Sequence, residues 1–128
     1  MRDNSERLKA IQTHASALTA SAARRPAADM LIELDALQRE LSTADASRVE
    51  AYVAAVFAVV AGFNALGRAQ KMGPLLERAI GICRAGSKQQ LLRRALSLYG
   101  YFTGDIINAP RALGCLQEAV ELAREMND

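Results

Sequence analysis

The residues of this chain best suited to bond chemistry are one histidine, His14, and two cysteines, Cys83 and Cys115. A zinc site needs four N or S ligands, or three and a water, brought together. A lone histidine and two cysteines without CxxC spacing cannot supply that set. A cysteine nucleophile needs a base or a positive neighbourhood to lower its pKa. Cys83 has no evident activator in the sequence, and the serines have no base. Asp29, Glu33 and Glu40 share one helical face. Paired carboxylates can do acid–base work, but acids on a helix face solvent unless a pocket perturbs them. "YGYFTGD" is no phosphate loop, because its glycines fall at a helix crossing and a turn. These residues predict no catalytic residue, no metal and no cofactor, and so no enzyme within the chain itself.

The elements that carry these side chains are helical. Alanine occurs 25 times, tryptophan is absent and only three prolines interrupt the 128 residues. That is a helix-former's mixture. At this length one domain can bury a sizeable core without disulfides. The first helix is expected from about Ser5 to Ala23, with an apolar stripe of Leu8, Ile11, Ala15, Leu18 and Ala22. Pro26 suits the first turn of a second helix, whose stripe is Leu31, Leu34, Leu37 and Leu41. Ser47 with Glu50 reads as a capping box opening a third helix, which stops near Gly67. A fourth is expected from about Met72 to Gly86, with Pro74 in its first turn. A second capping box, Ser87 with Gln90, opens a fifth helix to about Thr103, and Asn108 caps a sixth. The short connections predict antiparallel neighbours.

A spacing of forty residues ties the third and fourth helices to the fifth and sixth. Ser47 recurs as Ser87, Ala55 as Ala95, Ala69 as Ala109, Leu76 as Leu116, Ala79 as Ala119 and Arg84 as Arg124. Conservative pairs keep that register: Arg48 with Lys88, Glu50 with Gln90, Val56 with Leu96 and Ile82 with Leu122. The pattern predicts a duplicated helical hairpin.

On these residues the sequence resembles the tetratricopeptide repeat (TPR) family. "LSLYGYFTGDIINAPRALGCLQEAVELARE" carries the likeness. Leu96 and Tyr99 match large apolar sites of the family unit, Gly100 its first small site, and Ala112 and Ala119 the small sites of its second helix. Leu116 matches the large site between those two. Upstream, Val56, Val59, Phe63, Leu76 and Ala79 agree, while Val60 and Met72 replace small residues. Thr103 stands where an aromatic is usual, no proline closes either unit, and forty exceeds the family's common thirty-four. The resemblance implies an all-α fold of about three antiparallel hairpins stacked as a right-handed superhelix. Residues 1–45 would form a degenerate N-terminal hairpin, 46–86 a first repeat and 87–128 a second, as part of a longer protein.

The same resemblance implies a groove lined by the first helices of successive units: Ala54, Phe57, Ala61 and Asn64, then Arg94, Ser97 and Tyr101. The alternative is that Phe57 and Tyr101 pack beneath the N-terminal helices or a dimer partner. The expected function is a protein- or peptide-binding, sensory module of a bacterial signalling protein, of the kind that precedes a diguanylate cyclase (GGDEF) or helix-turn-helix domain. A homodimerisation scaffold is the alternative. A weaker one uses residues 68–94, with seven bases against Glu77, to bind nucleic acid or an anionic ligand. "MRDNSERLKAIQ" lacks the apolar core of a secretory signal, and the cysteines suit a reducing compartment, so a cytoplasmic location is expected. The uncharged run Ala51–Gly67 spans only about 26 Å as a helix, and its repeat partner is charged, so no membrane partner is expected.

Overall fold

The computed structural model describes residues 4–103 and 109–127. Among them lie six helices: α1 (Asn4–Ala20), α2 (Ala27–Thr43), α3 (Val49–Ala65), α4 (Ala69–Ala85), α5 (Gln89–Thr103) and α6 (Ala109–Asn127). The chain is therefore all-α, as its composition requires. It divides into two compact units, 1–68 and 69–128, and each is described by itself. That division falls inside the 46–86 segment that the forty-residue repeat treats as one hairpin.

In the first unit α1 and α2 run antiparallel. Asn4 Nδ2 donates to the Asp45 carbonyl at 2.9 Å, Arg7 to Thr43 Oγ1 at 3.1 Å, and His14 Nε2 meets Glu33 Oε1 at 3.0 Å. Even so, α1 packs more extensively on α3 than on α2. The reason is composition. A helix that is apolar all round must be buried, and in α3 Tyr52, Val53, Val56, Val59, Val60 and Phe63 are all at most 2% exposed. Against it lie Leu8, Ile11, Ala15 and Leu18 of α1 and Met30, Leu34, Leu37 and Leu41 of α2, all buried. Met30 takes the place expected for Leu31, which is only half-buried, because the line that faces inward is 30, 34, 37 and 41. Tyr52 is fully buried and its hydroxyl donates to the Leu41 carbonyl at 2.7 Å, fixing the start of α3 to the end of α2. Where α3 crosses its neighbours it carries Gly62. A Cβ there would stand 2.8 Å from Leu34 Cδ2 and 3.5 Å from Thr19 Oγ1.

In the second unit α5 is central, packed on α4 and on α6. Its core is Met72, Leu75, Leu76, Ala79 and Cys83 of α4, Leu92, Ala95, Leu96 and Tyr99 of α5, and Ala119 of α6. Tyr99 Oη donates to Glu77 Oε1 at 2.9 Å, and Arg84 pairs with Glu118 at 2.6 Å.

The helix ends correct several expectations. α1 stops at Ala20, so Ala22 lies beyond it in a turn. Pro26 is the residue before α2, not within its first turn; its extended backbone (ψ 132°) is the N-cap geometry. Pro74 is not in the first turn of α4 either, because the helix starts at Ala69. Its missing N–H leaves the carbonyl of Gln70 without that helical donor, and Gln70 is exposed to water.

Neither capping box forms. The Ser47 hydroxyl donates to Asp45 Oδ2 at 2.8 Å and its amide to Asp45 Oδ1 at 2.9 Å, closing a turn before the helix. The N-cap of α3 is Arg48, which makes no side-chain cap bond. Ser87 belongs to the end of α4 instead, with φ 55°. There the Lys88 amide donates to the Cys83 carbonyl at 3.1 Å and the Ser87 amide to Arg84 at 3.3 Å. The end of α3 closes the same way: Arg68 donates to Phe63 at 2.9 Å and Gly67, at φ 69°, to Asn64 at 3.0 Å. Both are Schellman closures. The expected stop at Gly67 is present, whereas the left-handed residue after α4 is Ser87 and not Gly86. Asn108, expected to cap α6, lies outside the described residues.

Candidate interaction surface

The residues expected to line a groove fall in both units. On α3, Ala54 is half-buried, Phe57 is 8% exposed, and Ala61 and Asn64 are exposed. On α5, Arg94 is exposed, Ser97 is half-buried and Tyr101 is 79% exposed. The two aromatic residues thus have opposite environments. Phe57 is a buried residue of α3, while Tyr101 stands in solvent one and two turns beyond Ser97 and Arg94 on the same helical line.

Large apolar side chains in solvent are the informative residues on a protein surface when they gather. Five are exposed among the described residues: Ile32, Tyr101, Leu113, Leu116 and Val120. Four of these belong to the second unit, and three form a line at i, i+3 and i+7 on α6. This line was missed at the level of sequence, where Leu116 is read as a large residue between helices; it is 38% exposed. A signal for it exists. α6 has two apolar lines, Cys115–Ala119–Leu122 and Leu113–Leu116–Val120, a wider arc than one neighbouring helix can cover. Ala119, at 4%, is on the covered line. Ala112, expected at a small site, has no described side chain.

Of the polar residues first considered for chemistry, His14 and Glu33 are held in a surface pair. Glu33 accepts from His14 and, through its other oxygen, from Arg25. Those hydrogen bonds, from His14 first and Arg25 second, hold its carboxyl below the usual value. Asp45 is lowered by the two bonds from Ser47. Cys83 is buried and burial pushes its thiol up, away from the thiolate that nucleophilic chemistry needs. Among the described residues, no three histidine, cysteine or acidic side chains gather as a metal cluster. No helix among them is long and apolar enough to cross a membrane.

Compared with known proteins, the chain matches no family model, no curated protein and no solved structure.

Proposed function

We propose that this chain is a non-catalytic protein- or peptide-binding module, sensory or regulatory, in a bacterial signalling protein. Such a module would stand beside an output domain such as a diguanylate cyclase or a helix-turn-helix regulator. In that reading the six helices stack as a TPR-like right-handed superhelix and recognition uses a preformed helical surface in the cytoplasm. The observation that carries it is Tyr101, 79% exposed on α5 in line with Arg94 and Ser97. Tyrosine and arginine are the residues that most often anchor a partner. In the basic stretch 68–94, one of the seven bases, Arg84, pairs with Glu118.

A photo-crosslinking amino acid at position 101, introduced in the cells that make the protein, tests it. The expected result is one specific adduct, whose purified protein loses at least tenfold in affinity for Tyr101→Asp while the helical circular dichroism is unchanged. An adduct only with a second copy of the chain would favour the homodimer scaffold. No adduct, or full affinity in Tyr101→Asp, retires the proposal.

A further inference from the structure

We propose that the outer face of α6 is a docking site for an amphipathic helix of another protein, and that this helix carries an apolar stripe of the kind α5 carries. The inference rests on the interaction reading above but uses a different helix and different residues.

The forty-residue register lays α4 on α6, so that Gly73, Leu76, Glu77 and Ile80 correspond to Leu113, Leu116, Gln117 and Val120. On α4 this face is covered by α5. Tyr99 of α5 donates to Glu77 at 2.9 Å, and further along α4 its residue Cys83 lines one small pocket with Leu92 of α5 and Leu122 of α6. Leu76, beside Glu77, is fully buried, and Ile80, between Glu77 and Cys83, is half-buried. On α6 the corresponding residues are bare: Leu113 is 57%, Leu116 38% and Val120 51% exposed. The register itself holds on the adjoining line, where Ala79 and Ala119 are both buried. The outer face of α6 therefore repeats a helix-binding face whose occupant is visible in one instance and not in the other.

That visible occupant states what the second should look like. α5 presents Leu92, Leu96 and Tyr99 at i, i+4 and i+7, a helix-in-groove pattern. Gln117 stands where Glu77 accepts the tyrosine hydroxyl, and its amide oxygen can accept the same donor without a charge to desolvate. Leu113 replaces Gly73 and adds an apolar anchor at one end. A second copy of the chain fits less well. Its own stripe of this kind, Leu92, Leu96 and Tyr99, is already buried within the second unit.

The test uses a labelled peptide with the sequence of residues 88–103, titrated into the full chain. Saturable binding is expected, weakened at least tenfold by Leu116→Asp or Val120→Asp at unchanged circular dichroism. Tyr99→Phe within the peptide should weaken it several-fold. Tyr101→Asp in the chain should leave it unchanged, so failure of this site and failure of the α5 reading are separable. If Leu116→Asp does not fold, Leu113→Ser at the more exposed position serves instead. Binding that survives every α6 substitution would mean the peptide displaces α5 itself, and overturns the proposal. So would an absence of saturation at millimolar peptide. A dimer in light scattering that Leu116→Asp converts to monomer would assign the face to a second copy and overturn it too.

Discussion

Ser87 closes α4 in the backbone conformation with which Gly67 closes α3, at φ 55° and 69° respectively. The two ends share the same pair of amide-to-carbonyl bonds, twenty residues apart. A left-handed residue with a Cβ is disfavoured by about 1–2 kcal/mol, and glycine is not. Ser87→Gly should therefore stabilise the protein, by about 1 kcal/mol after the extra entropy of glycine in the unfolded chain is deducted. Gly86, one residue earlier, is not at positive φ. Gly86→Ala should be neutral or mildly stabilising, whereas Gly67→Ala should cost about 1 kcal/mol. Thermal denaturation of the three variants orders them, and a destabilised Ser87→Gly would contradict the assignment.

Gly62 leaves no room for a Cβ beside Leu34. The missing Cβ would lie 2.8 and 3.2 Å from the two methyl carbons of Leu34, a side chain with no exposure at all. Gly62→Ala should cost about 1–3 kcal/mol through overpacking. Shortening the neighbour should recover part of that loss, so Gly62→Ala with Leu34→Val should be more stable than the sum of the single changes. Urea midpoints of the cycle give the coupling directly, and strict additivity would show that the two do not meet.

The cysteines should differ in reactivity. Cys83 is buried with its thiol pushed up by burial, while Cys115 is half-buried. A thiol reagent at pH 8 should modify Cys115 first and reach Cys83 only as fast as the second unit opens. Mass spectrometry of peptides over time separates the two. Equal rates in native protein would place Cys83 at the surface.

Glu33 gives a pH dependence whose sign is fixed by its lowered pKa. A carboxyl depressed in the folded state contributes stability above its unfolded value and loses it as pH falls through the folded value. The native chain should therefore lose more stability than Glu33→Gln as pH falls below about 4.5. Asp45, lowered by its bonds from Ser47, contributes alike to both proteins and cancels from the comparison. Denaturant midpoints at several pH values measure it; parallel curves for the two proteins would show that the His14–Glu33–Arg25 cluster makes no contribution.

The sequence made the helices legible because alanine content and apolar periodicity are local properties. The inward lines of α1 and α2 were readable to within a residue. What went astray involved competition between neighbours. Ser47 and Ser87 have the chemistry of caps, yet Asp45 takes the first hydroxyl and a Schellman closure takes the backbone of the second. The three extra residues at the start of α4 were hidden by Pro74, whose usual place is a first turn. Of the candidate residues, Tyr101 is exposed on α5, whereas the exposed apolar line on α6 was not legible. Apolar spacing marks a face as apolar but does not say whether anything covers it, so Leu116 read as core.

The chain contains no tryptophan and three tyrosines, Tyr52 in the first unit and Tyr99 and Tyr101 in the second. Tyr52 and Tyr99 are at most 2% exposed and each hydroxyl is hydrogen-bonded within its own unit. The buried anchors therefore double as optical probes, with no indole to outshine them. A variant with phenylalanine at 99 and 101 emits from the first unit alone, and one with phenylalanine at 52 emits from the second. Their two melting curves, read at one wavelength, tell whether residues 1–68 and 69–128 unfold as one cooperative body or in succession.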